Sequence, residues 1–216
     1  MITKNTKERI FTSLVLILLI YLIANFNFFL IYTLIVFGVI FIIEFTQITK
    51  KIFSNNFYKY FANLFSYLYI FIFCYFFFFF SNFLQLKIIL YSILIGCIAS
   101  DIGGFVFGKI FKGPKLTRIS PNKTYSGSIG SILFTCFSLP TFLFFFTDKF
   151  YLSLIIVSLA TSLSCQLGDL FFSFLKRKAK IKDTGNFLPG HGGILDRIDG
   201  ILFGVPVGFI MLILIY

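Results

Sequence analysis

The sequence predicts an all-α, polytopic membrane bundle of about seven spans, and three observations predict it. First, 58% of the 216 residues are hydrophobic and only 12% are charged, with a mean hydropathy of +0.97, whereas a water-soluble domain is about one quarter charged. Second, apolar runs of about 20 residues recur along the chain, the length a helix needs to cross a bilayer. Third, Lys and Arg gather in alternate gaps between those runs, as the positive-inside rule describes. The 35 phenylalanines agree, because phenyl surface that would aggregate in water is ordinary lipid-facing surface in a membrane.

The spans fall at about 10–25, 28–48, 61–80, 86–107, 128–146, 150–172 and 198–216. The first follows Lys4, Lys7 and Arg9, as a signal peptide would. It has no small-residue cleavage site after it, and Asn25-Phe26-Asn27 leads into more apolar sequence, so it reads as a retained helix. With a cytoplasmic N-terminus, every basic residue lies on the inside except Lys87 and Lys149. This orientation is the one the charge rule prefers, in the cytoplasmic membrane and with Tyr216 on the far side. Two long polar segments, 108–127 and 173–197, then face the cytosol, and chemistry is expected there. The expected organisation is a variable set of N-terminal spans over 1–94 and a catalytic region over 95–216.

The formal net charge of +11 sits in short segments between apolar runs, with no nucleic-acid-binding module. Anionic headgroups and phosphorylated substrates are therefore the expected partners, and nucleic acid is not. Cys74, Cys97, Cys136 and Cys165 all lie inside apolar runs without CxxC spacing, and read as small packing residues.

Acids number eight, so each is informative. Glu8 and Asp148 are at water-facing ends. Glu44, near the cytosolic end of the second span, reads as a boundary residue or an ion-pair partner of Lys50 or Lys51. Asp101 and Asp169 lie late in the fourth and sixth spans, where an acid costs about 2.5–3.5 kcal/mol at a helix centre, and less toward the ends, unless paired or wetted. They predict a polar cavity. Asp169 and Ser173 are four apart and share a helix face; Asp196 and Asp199 are three apart and share another. Three carboxylates and a hydroxyl form a hard oxygen-donor set, suited to Mg²⁺. His191 is the only histidine, so no zinc site can be built on imidazoles.

Lys176, Arg177, Lys178, Lys180 and Lys182 follow Asp169 closely. Some of them serve topology, and others can hold phosphates beside the acids. Gly185, Gly190, Gly192 and Gly193 let backbone approach a ligand. Ser120-Pro121-Asn122-Lys123-Thr124 is another phosphate-binding candidate. Neither segment is a Walker or Rossmann motif.

The run Ser173-Phe174-Leu175-Lys176-Arg177, then Lys182-Asp183-Thr184-Gly185, then Leu188-Pro189-Gly190-His191-Gly192-Gly193-Ile194-Leu195-Asp196-Arg197-Ile198-Asp199 resembles the signature of phosphatidate cytidylyltransferases. Asp101, the Ser120–Thr124 segment and Cys165-Gln166-Leu167-Gly168-Asp169-Leu170 are similar too, so the resemblance covers about residues 95–204. It departs from the family pattern at Ser126 and Phe172, where acids are usual, and at Ile102-Gly103-Gly104-Phe105. The resemblance implies a Mg²⁺ centre, with a second cation such as K⁺, at the cytosolic membrane surface. Asp169 and Asp196 would be the principal ligands, Ser173 a supporting one, and Asp199 a ligand or an orienting group. Lys176 and Arg177 would grip phosphates, with Lys123 and Arg197 next. Thr124, Ser120, His191, Gly192, Gly193 and Asp101 would line the substrate site. CTP and phosphatidic acid would be the substrates, the bilayer a partner, and a homodimer a plausible assembly.

A lipid phosphomonoester is already anionic and needs little help from a base to attack the α-phosphorus of CTP. The obstacles are repulsion between two anions and charge growing on pyrophosphate, which cations relieve. The nearest rival is a CTP-dependent polyprenol or phytol kinase, which transfers to an alcohol and needs a base. CDP-alcohol phosphatidyltransferases carry a different aspartate pattern. An ion-coupled transporter would show broken helices near midplane and an internal repeat.

Overall fold

The computed structural model describes residues 15, 18–117, 119–185 and 192–215. Six long helices follow in chain order: α1 (Asn27–Ile52), α2 (Asn56–Ser81), α3 (Leu84–Phe111), α4 (Tyr125–Thr147), α5 (Leu154–Lys178) and α6 (Leu195–Ile215). Each is long and apolar enough to cross a membrane, with mean hydropathies from 1.6 to 2.6 over its most apolar stretch. The protein is therefore a multi-pass membrane protein. Among the described residues there is no strand, only an isolated bridge between Lys115 and Thr124. The first expected span lies largely outside the described residues; its stretch 18–25 is helical.

Each of the six long helices is continuous, and none is interrupted at mid-length as the transporter alternative requires. Several outrun their apolar cores. α3 continues to Phe111 and α5 to Lys178, so part of each polar segment is helical. A helix satisfies its backbone internally and has no reason to stop where hydrocarbon ends. Lys176, Arg177 and Lys178 in the last turn of α5 also suit the negative end of its dipole. Two starts are capped: Asn55 Oδ1 accepts from Phe57 N at 2.9 Å ahead of α2, and Thr124 Oγ1 accepts from Gly127 N at 3.1 Å ahead of α4.

The chain divides into two compact units, one from Met1–Asn82 with Leu175–Arg197, the other from Phe83–Phe174 with Ile198–Tyr216. In the first, α1 packs on α2. Gly38 lies opposite Cys74, and the buried Thr49 Oγ1 donates to Asn63 Oδ1 at 2.7 Å. An apolar recess of about 410 Å³ between the two helices is lined by Ile31, Ile35, Tyr67 and Phe71 among others.

In the second unit, small residues set the helix spacing. A Cβ on Gly127 would fall 2.7 Å from Gly104 O, and one on Gly104 would fall 2.6 Å from Ser131 Oγ, so α3 and α4 touch backbone to backbone. α6 carries Gly200, Gly204 and Gly208 at four-residue spacing. A Cβ on Gly204 would lie 2.7 Å from Cys97 Sγ, and one on Gly208 2.9 Å from Ile93 Cγ2. Lipid supplies no hydrophobic drive between helices, so such close approach is what holds them together. Cys97 and Cys165 are buried in this packing and all four cysteines are free, as the sequence suggested.

Gly204→Val should overpack this contact at a cost of roughly 1–3 kcal/mol, lowering the melting temperature by about 2–4 °C per kcal/mol. Ile213→Ala, on an exposed position of the same helix, should leave it nearly unchanged in the same thermal melt.

Candidate functional site

In the first unit, the chain leaves α5 at Lys178, turns, and re-enters a helix at Leu195. Lys180 takes a positive φ of 56° and Gly192 one of 85°. Asp196, in the first turn of α6, gathers donors from both sides of this excursion. Its Oδ1 accepts from Lys176 Nζ at 2.7 Å. Its Oδ2 accepts from Thr184 N at 2.8 Å and Gly193 N at 3.2 Å, with Thr184 Oγ1 at 3.1 Å. The Lys176 and Asp196 side chains are only 13% and 9% exposed, so each charge depends on the other for compensation.

Beneath this lies Glu44 of α1, 1% exposed. Its Oε2 accepts from Thr184 Oγ1 at 2.7 Å and Leu195 N at 2.9 Å, and its Oε1 from Ile194 N at 3.0 Å. Two of these donors are free amides at the start of α6, where a helix attracts negative charge. Glu44 is thus neither a boundary residue nor a partner of Lys50 or Lys51, as the sequence suggested. Its donors lie 140 to 151 residues away, beyond anything local spacing reveals.

In the second unit, the segment after α3 folds back as a tight loop. Leu116 N donates to Lys123 O at 2.7 Å, Lys123 N to Ser120 O at 3.1 Å, and Tyr125 N to Pro114 O at 3.1 Å. This frame presents the Lys123 ammonium to Asp169 Oδ2 of α5 as a partly exposed ion pair. Gly200 of α6 lies beside Asp169, where a Cβ would come 3.3 Å from Oδ1. A polar ladder runs deeper. Ser128 Oγ donates to Gln166 Oε1 at 2.5 Å, Gln166 Nε2 donates to Ser162 Oγ at 3.3 Å, and Ser162 meets Ser100 at 3.1 Å.

The other residues singled out in the sequence fall as follows. Ser173 is half-buried one turn after Asp169 on α5, and Asp199 is buried with Oδ1 accepting from Gly200 N at 3.0 Å. Arg177, Arg197 and Asp101 are exposed. Thr124 serves as the α4 cap, and Ser120 supports the turn before Lys123. Gly192 and Gly193 border Asp196, while His191 lies outside the described residues. Thr184 and Gln166 lie inside the motif segments, where the sequence alone assigns them no role.

Two of the three departures from the family pattern, Ser126 and Phe172, have local reasons. Ser126 Oγ donates to Lys112 O at 3.3 Å, which a carboxylate cannot do. Phe172 is buried against Phe171 and Phe203, where an acid would be stranded.

Fold and site define a multi-pass membrane protein that holds two carboxylate–lysine pairs, Asp169 with Lys123 and Asp196 with Lys176. The model of the cytidylyltransferase family matches residues 1–215, and the chain belongs to that family. Curated relatives include the phosphatidate cytidylyltransferase of Rickettsia felis, 42% identical over 137 residues that cover 59% of each chain. The Mycobacterium leprae protein of the same name is 41% identical over 58% of this chain and 41% of its own. That of Staphylococcus aureus is 46% identical over 59% of this chain and 50% of its own. The matches thus span about half the length of these relatives.

Lys176→Met should strand the Asp196 charge and destabilise the protein by about 3–5 kcal/mol. Adding Asp196→Asn should restore most of the loss, read as a strong coupling in a double-mutant cycle of thermal melts.

Proposed function

We propose that the chain transfers the cytidylyl group of CTP to phosphatidic acid at the cytosolic face of the cytoplasmic membrane. A phosphate oxygen of the lipid attacks the α-phosphorus of CTP. The bond from that phosphorus to the bridging oxygen breaks, and CDP-diacylglycerol and pyrophosphate result. The observation that carries the reading is that both aspartates marked by the family resemblance sit opposite a lysine ammonium, Asp169 with Lys123 and Asp196 with Lys176. Each pair is a cation place beside a mobile phosphate grip. Membership of the cytidylyltransferase family supports it, as do relatives named for this activity.

Mg²⁺ fits the donors present. Within neither unit do three or more His, Cys, Asp or Glu side chains gather among the described residues. Mg²⁺ asks for no such cage; it takes one or two carboxylates, substrate phosphates and water. Asp169, Ser173 and Asp199 would offer oxygens in the second unit and Asp196 in the first; the same hard oxygens would accept a second cation such as K⁺. When bound, Mg²⁺ neutralises the triphosphate and the charge growing on pyrophosphate. Lys123 and Lys176, released from their aspartates, turn to phosphate oxygens, and Arg177 and Arg197 add charge from exposed positions. The cytosolic orientation rests on the basic residues that follow α3 and end α5. A homodimer is proposed with it.

The full chain in phosphatidic-acid bilayers with Mg²⁺ and CTP labelled at the α-phosphorus should yield lipid-soluble label. Asp169→Asn should cut the rate by about 100-fold or more while the protein stays folded, and EDTA should abolish it. Lipid-soluble label from γ-labelled CTP instead would mean a kinase and overturn the reading.

A further inference from the structure

The most deeply buried acid of the described helices is Glu44, and the proposed reaction gives it no direct part. Three donors converge on it, and all belong to the excursion that carries Asp196. Thr184 is the shared member. Its hydroxyl lies 2.7 Å from Glu44 Oε2 and 3.1 Å from Asp196 Oδ2, and its backbone N–H donates to Asp196. A hydroxyl has one proton, so it serves one carboxylate at a time. Two glycines yield room for the same contact. A Cβ on Gly185 would fall 2.7 Å from Glu44 Oε1, and one on Gly193 2.8 Å from Glu44 Oε2. Motif glycines that sequence reasoning assigned to ligand approach are thus required by a side chain from the far end of the chain.

We propose that Glu44 is a positioning residue: through Thr184 and the first amides of α6 it fixes the frame in which Asp196 meets Lys176. The proposal builds on the cytidylyl-transfer reading, which makes Asp196 functional. Glutamate is required because both its oxygens accept. Glutamine would turn an NH₂ toward an amide donor and lose the charge that suits the helix start. With its proton on Glu44, the Thr184 hydroxyl leaves Asp196 to Lys176 and the Thr184 and Gly193 amides.

The test compares purified full-length Glu44→Gln, Thr184→Val and Thr184→Ser with the parent. Acetylation of Lys176 is followed by mass spectrometry, with exposed Lys180 as the internal standard. In the parent Lys176 should be slow to react. Glu44→Gln and Thr184→Val should speed it several-fold, and Thr184→Ser should keep the protection. The same two variants should raise the Mg²⁺ concentration for half-maximal transfer by about tenfold or more, with less change in KM for phosphatidic acid. A role confined to stability would lower the yield of folded protein and leave both readouts of the folded fraction unmoved, which overturns the proposal. Should Glu44→Gln not fold, Thr184→Val decides it, because Glu44 keeps its two amide donors there. If the parent forms no CDP-lipid, the functional reading fails, while Lys176 labelling still decides the positioning role.

Discussion

An ionised carboxylate cannot stay in or near hydrocarbon without partners, and this constraint organises the chemistry-bearing part of the protein. Isolated, such a charge costs several kcal/mol. Glu44 answers with a hydroxyl and two helix-start amides, Asp196 with a lysine and the Thr184 and Gly193 amides, and Asp169 with a lysine. The first answer keeps the charge fixed and dry. The other two leave it opposite a cation that can be exchanged. The difference separates a supporting acid from the two acids to which the proposed reaction gives the metal.

The helices serve that arrangement through their small residues. Glycines let α3 and α4 meet at the backbone, and Gly200 brings α6 beside Asp169. A Cβ at Gly200 would come 3.3 Å from Asp169 Oδ1, tight enough to press on the carboxylate. The loop before α4 works the same way. Its bridge and backbone bonds fix the main chain at Lys123, so the fold brings the root of the side chain within reach of Asp169 and leaves the ammonium free to turn.

Much of this was legible in the sequence. Hydropathy located all six long helices, because lipid forces apolar runs of a set length. Scarcity of acids drew attention to Asp169 and Asp196, and positive charge in the same segments drew it to Lys123 and Lys176. Helix ends were not legible, since α3 and α5 continue past the apolar stretch on internal hydrogen bonds. Nor was the pairing: Lys123 and Asp169 are 46 residues apart, and only the folded loop joins them. Glu44 was misread because an acid near the end of an apolar run looks like a boundary residue or a local ion-pair partner until tertiary structure buries it. Thr184 sat unassigned in a motif whose charged members attracted the attention.

The account stands on the idea that Lys123 and Lys176 hold the aspartates only until substrate arrives. A high-resolution structure of the full chain in lipid, with Mg²⁺ and a non-cleavable CTP analogue, tests it most directly. The expected result has both ammonium groups moved onto phosphate oxygens and density for metal at Asp169 and Asp196, with Glu44 still on Thr184, Ile194 and Leu195. Nucleotide bound while both lysines remain on their aspartates would contradict it.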